Sequence, residues 1–353
     1  MTVERSPAEI AWFGALCDDD YEQIGVVQDD LRSSWNHCRD IVLEAERHGF
    51  DNILLPSGYS LGIDTVSFAS SVASLTSTMK LLVAVRCGEV WPPQLARQMA
   101  TLNQTLEGRL TINIISSEMP GEILDGRARY ARTKENMQIL RTLLRGERLD
   151  HEGEFYSLHL KPPRIAVEKP HDPQFYFGGL SEEARDVAAA EADVYLMWPD
   201  VEEVVAETIA DMRARASAYG RTLRFGYRCH VVVRDSAEQA LDAANWIVAG
   251  VDASEGDRIR SQSLDSQSIG VRRQAELRET SADDGFVEDY LWTGIGRARS
   301  GCGAAIVGTP SEVADKINRY RDLGIDVFIF SGYPHKEECR RFAQSVLPII
   351  SGA

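Results

Sequence analysis

The chain has 353 residues, 44% of them hydrophobic and 26% charged, with a formal net charge of −16. That acidic balance excludes a nucleic-acid footprint and docking on an anionic membrane, while a few buried cations would still admit a small anionic substrate. The composition is that of a globular protein with ample core, and the length suits two domains or one large α/β barrel.

The first residues lack an apolar signal core and no later run is long enough to span a bilayer, so a cytoplasmic protein is expected. The cysteines Cys17, Cys38, Cys87, Cys229, Cys302 and Cys339 show no metal-like spacing. His151, His159 and His171 form no ligand set either, and no metal is expected.

Short β-rich runs recur in chain order at residues 10–16, 51–55, 80–85 and 110–115, then at 174–177, 193–197, 225–233 and 326–330. Helical patterns at 31–48, 64–75, 92–105, 129–144, 182–190, 202–219, 237–248, 310–322 and 336–346 fall between and after them. Pro92 and Pro310 suit first helical turns, whereas Gly49, Gly220 and Gly324 suit helix ends. Eight strands with intervening helices predict a (β/α)8 TIM barrel rather than an open sheet. No GxGxxG follows the first strand, which argues against a dinucleotide fold. Two insertions depart from a minimal barrel. Residues 147–173 read as a short hairpin, and residues 251–303 as a long polar lid before the last βα unit. Both belong to one domain spanning the chain.

Two local patterns carry chemistry. In Phe-Gly-Tyr-Arg-Cys-His-Val-Val-Val-Arg, at 225–234, the period of two sends Arg228 and His230 to one face of a strand. A cation beside a titratable base is costly to bury. Either a carboxylate pairs the arginine and the histidine is a satisfied core residue, or the two hold an anion while a proton moves. An unperturbed histidine, titrating near about 6.5, would suit that second role. Gly178-Gly179, with Ser181 opening a helix near Glu182, reads either as a tight βα turn or as a phosphate cradle of bare backbone and helix N-terminal N–H groups.

The pieces Ala11-Trp12-Phe13, Leu55-Pro56-Ser57-Gly58, Ala96-Arg97-Gln98-Met99-Ala100-Thr101-Leu102, Tyr176-Phe177-Gly178-Gly179, Arg228-Cys229-His230, Leu291-Trp292-Thr293-Gly294 and Ser331-Gly332-Tyr333-Pro334-His335 span nearly the whole chain. In this order they resemble the bacterial luciferase-like, reduced-flavin-dependent monooxygenases, and within them the alkanesulfonate branch. The resemblance implies reduced FMN from a partner NAD(P)H-dependent flavin reductase, O2 as cosubstrate, and sulfite plus an aldehyde as products. It implies catalytic roles for Arg228, His230, Tyr333 and the mobile-lid Arg299. Gly178, Gly179, Ser181, Tyr130 and Ser116 would bind the cofactor, and Trp198, Trp91 and Trp12 the substrate. A homodimer or homotetramer is implied as well.

Three departures bear on substrate. Leu61 stands where the branch usually has cysteine, Cys17-Asp18-Asp19-Asp20 replaces a histidine-containing turn, and Ser116-Ser117-Glu118 replaces a Thr-Gly-Ser pattern. These loops set substrate choice, so the expected substrate is an alkanesulfonate or a bulkier sulfosugar such as sulfoquinovose. The competing expectations are a deazaflavin-dependent hydride-transfer enzyme and a non-catalytic flavin- or sulfonate-binding protein.

Overall fold

The computed structural model describes residues 7–60, 62–251, 256, 268–299 and 301–351. Its strands in chain order are β1 (Glu9–Phe13), β2 (Asn52–Leu55), β3 (Lys80–Arg86), β4 (Leu110–Ile115), β5 (Leu149–Glu152), β6 (Ser157–Leu160) and β7 (Phe175–Phe177). They continue as β8 (Val194–Met197), β9 (Arg224–Val233), β10 (Phe286–Glu288), β11 (Leu291–Trp292), β12 (Ala305–Gly308) and β13 (Val327–Ser331). Eight of them, β1, β2, β3, β4, β7, β8, β9 and β13, pair in parallel in that order, and β13 returns to β1. The barrel is closed, as the strand–helix rhythm predicts.

Alternation along each strand fills it. Ala11, Leu54, Leu82, Tyr176, Val194, Val327 and Ile329 pack together inside the barrel. Their neighbours in sequence, among them Trp12, Ile53, Leu81 and Phe328, face the helical layer in a separate core. Helix boundaries follow local chemistry. Thr309 and Glu312 form a reciprocal capping box ahead of Pro310, and Gly324 ends that helix at φ 114°.

Residues 147–173 contain the antiparallel pair β5–β6. The expected lid at 251–303 lies partly outside the described residues, as does Leu61. Its described part comprises the helix Ile269–Glu279 and the strands β10 and β11. A bidentate pair from Arg273 to Asp200, at 2.7 Å for both bonds, ties that helix to the loop after β8.

One strand shapes the mouth. The first half of β9 pairs with β8 from Arg224 to Tyr227, and its second half pairs with β12 from His230 to Val233. The strand thus exchanges one neighbour for another between Tyr227 and His230. The exchange keeps its backbone groups bonded beyond the barrel rim, and it opens the wall where Arg228 stands.

Candidate active site

A cavity of about 810 Å³ occupies the mouth at the C-terminal ends of the strands. This is the end where barrels of this kind place their chemistry. Phe13, Arg228, His230, Trp198 and Tyr333 line it together with Gly178 and Gly179.

Arg228 is 5% exposed and lies over the Phe13 ring, 4.2 Å from its centre. It donates to the Cys229 carbonyl and to Ser331 Oγ, each at 2.8 Å, and forms no ion pair among the described residues. Among the described residues, then, the buried-ion-pair alternative finds no carboxylate partner for this arginine. A guanidinium has five N–H groups, so three are left for a ligand.

Ser331 sits directly opposite His230 in the β13–β9 register, with its Oγ 2.7 Å from Nδ1. Because the hydroxyl oxygen accepts from Arg228, its proton is directed to Nδ1, which must then be an acceptor. Burial, followed by the charges of Arg228 and Arg299, holds the imidazole well below its ordinary range. The titration near neutrality expected for His230 is thus corrected: it is a neutral ring, stacked on Tyr333 at 5.3 Å.

This has a consequence for stability. His230 in the unfolded chain protonates below about pH 6.5, whereas the folded ring resists. The unfolded state then binds more protons, so stability should fall as pH drops through that value. A H230Q variant should lose that part of the slope, as measured by urea midpoints between pH 7.5 and 5; an unchanged slope would exclude His230 as its source.

Arg299 donates from Nε to Tyr333 Oη at 2.9 Å and pairs through Nη1 with Asp18. Burial, reinforced by Asp18 and opposed by Arg299, pushes the Tyr333 phenol up to about 12. Tyr333 keeps its proton, and since its oxygen accepts from Arg299, the O–H is free to donate into the cavity. This places Arg299 on a different side of the mouth from Gly178. It stands beside β13, while Gly178 follows β7, three strands further round the barrel.

At that other end the backbone is packed too closely for any side chain. A Cβ on Gly178 would lie 2.0 Å from the Leu196 carbonyl oxygen, and Gly179 has φ +153°. Ser181 caps the helix Glu182–Glu191 by accepting from the Ala184 N–H. The cavity brings in Tyr130 and Arg129 from the helix Gly126–Leu144, and Arg129 Nε is buried without a partner. Ser116 lines the same space, bonded to Thr133 at 2.8 Å. Bare glycine backbone, a helix N-terminus and an orphaned guanidinium N–H suit a dianionic phosphate.

Of the three tryptophans expected to bind substrate, Trp198 lines the cavity, flanked by Gly270 and Gly301, where an added Cβ would come within 2.9 and 3.1 Å of its ring. Trp12 does not. It is fully buried on the outward side of β1 against Phe50 and Phe342, and donates to the His335 carbonyl at 3.0 Å. Trp91 is 58% exposed at the start of the helix Pro92–Thr105 and lines none of the cavity.

Sequence reasoning missed His37, and quoted Ser331, Asp20 and His335 without a role. Asp20, fully buried, accepts from the His335 N–H at 2.9 Å and from its Nδ1 at 2.7 Å, and from His37 Nε2 at 2.9 Å. The available signal was the His after Tyr-Pro together with the run of three aspartates at 18–20.

Residues 17–327 match the luciferase-like monooxygenase family. The chain belongs to it. Among luciferase-like monooxygenases, it is 59% identical over 350 residues to a sulfoquinovose monooxygenase of Novosphingobium aromaticivorans, covering 97% of each chain. A second, from Agrobacterium fabrum, is 46% identical over 98% of this chain and 91% of its own length. The solved EDTA monooxygenase of Chelativorans sp. BNC1 shares the fold at TM-score 0.79 and 17% identity, covering 98% of this chain and 94% of that one.

Proposed function

We propose that this chain is a reduced-FMN-dependent monooxygenase that cleaves the C–S bond of a sulfosugar of the sulfoquinovose type, giving sulfite and an aldehyde. The observation that carries the reading is the buried Arg228, without a carboxylate partner among the described residues, beside a protonated Tyr333 in a cavity whose far end suits a phosphate. The relatives named above support the sulfosugar. About 810 Å³ lies towards the upper end of small-molecule sites, as two molecules bound together require.

When bound, reduced FMN supplies the electrons that activate O2 for insertion of one oxygen atom. Gly178, Gly179, Ser181, Tyr130 and Ser116, with Arg129, hold its phosphate. Arg228 and Tyr333 hold the sulfonate oxygens, with Arg299 keeping the tyrosine proton directed inward. His230, neutral, orients Arg228 through Ser331. Trp198 forms the wall under the helix Ile269–Glu279 and excludes water. Asp19, Ser57 and Asn113 offer acceptors and donors along the lining to sugar hydroxyls. A flavin reductase as partner and an assembly of two or four copies belong to the same proposal. Among the described residues no helix is long and apolar enough to cross a membrane.

The test is sulfite release from sulfosugars and simple alkanesulfonates with FMN, a flavin reductase, NAD(P)H and O2. Sulfite with matching O2 uptake is expected from a sulfosugar. Turnover without O2 uptake would point to deazaflavin-type hydride transfer, and binding without sulfite would sink the desulfonation reading. Within this assay W198A should raise KM on the order of tenfold, the loss of about 1.4 kcal/mol of contact. W91A should leave KM within about twofold of the parent; equal effects of the two would contradict their placement.

A further inference from the structure

One buried histidine is built differently from His230 and has no part in the mechanism above. His335 is 3% exposed and lines the same cavity, edge-on to Tyr333 at 5.0 Å and 89°. A carboxylate can only accept, so the 2.7 Å contact with Asp20 requires the proton on Nδ1, and in the neutral ring the lone pair then falls on Nε2. Nε2 is buried and has no partner among the described residues. Asp20 is braced by His37 Nε2 at 2.9 Å and by the Tyr21 N–H at 2.9 Å, while Trp12 grips the His335 carbonyl at 3.0 Å. Burial would raise the Asp20 carboxyl, but His335 and His37 outweigh it and hold it well below the usual range. An ionised carboxylate thus stands behind the ring, ready to stabilise an imidazolium. His230 has no such freedom. Its Nδ1 takes the Ser331 proton, the Cys302 backbone accepts a hydrogen bond from the ring, and two arginine charges oppose protonation.

We propose that His335 Nε2, oriented by Asp20, takes the proton that must leave the substrate as its carbon–sulfur bond opens. The inference rests on the desulfonation reading. Once one atom of O2 stands as a hydroxyl on the carbon bearing sulfur, and the two electrons of reduced FMN with two protons have taken the other to water, that hydroxysulfonate collapses without further redox change. Its O–H bond breaks, the freed electron pair forms the second bond of the aldehyde C=O, and the C–S pair departs with sulfur as sulfite. The proton ends on Nε2. General-base assistance of this kind contributes about a hundredfold to ten-thousandfold.

Asparagine at this position keeps an N–H towards Asp20 but has no base. H335N should bind FMN and the sulfosugar within about threefold of the parent and release sulfite at least about a hundredfold more slowly. H335A should recover sulfite release in proportion to added imidazole. Independently of turnover, nitrogen NMR of the flavin-free parent should show His335 protonated on Nδ1 and bare on Nε2, with Nε2 shifting when the sulfosugar is added. Sulfite release by H335N within tenfold of an active parent would overturn the proposal alone, as would a failure of imidazole to rescue H335A or a proton found on Nε2. A parent that releases no sulfite would overturn the desulfonation reading beneath it.

Discussion

R228M is expected to release sulfite about a thousandfold more slowly than the parent while being at least as stable to heat. Arg228 is a buried cation with no carboxylate to balance it among the described residues, held by two hydrogen bonds and the face of Phe13. Taking such a charge out of water costs several kcal/mol, and a methionine of similar length would remove that cost while still packing on the ring. The same charge, fixed before the substrate arrives in a site shielded from water, is worth about 2.7–4 kcal/mol to a reaction that develops negative oxygens. Activity and stability should therefore move in opposite directions. Sulfite release at saturating flavin, sulfonate affinity by calorimetry and the thermal midpoint decide it. Turnover within tenfold of the parent would remove Arg228 from the chemistry, and a large drop in midpoint would make it structural.

G178A is expected to abolish tight binding of reduced FMN, weakening it by at least a hundredfold, and to lower the thermal midpoint. The new methyl would fall 2.0 Å from the Leu196 carbonyl oxygen, a backbone atom of the neighbouring barrel strand that has no rotamer to escape into. Overpacking of this kind costs about 1–3 kcal/mol and would push the strand end away from the cradle. Fluorescence titration with anaerobic reduced FMN measures the loss. An affinity unchanged from the parent would show that the phosphate sits elsewhere.

How far the sequence could be read depended on how local each feature is. The pairing of Arg228 with His230 on one face needs only the period of a strand, and both line the cavity. The Gly-Gly-x-Ser cradle needs only a strand end and a helix start. Trp12 and Phe13, by contrast, are adjacent and both apolar, so alternation says that one faces inward without saying which; the barrel interior takes Phe13. Trp91 comes five residues after β3 ends at Arg86, by which point the chain has left the mouth and begun a helix.

Ionisation was beyond any local pattern. His230 is neutral because of Arg228 on its own strand, Arg299 from the segment before β12, and burial beneath both. Asp20 meets His335 across 315 residues of chain. Ser331 reaches Arg228 and His230 only through the register of β13 on β9.

The sequence by itself determined the alternation of strands and helices, the closed barrel, the Gly178-Gly179 turn at a strand end and the shared face of Arg228 and His230, because each follows from backbone geometry repeating over a few residues. Only the tertiary structure decided which arginine stands unpaired, which tryptophan meets the cavity and which histidine keeps a free lone pair. Those properties belong to atoms a few ångströms apart that the chain supplies from distant segments, and burial multiplies the effect of each of them.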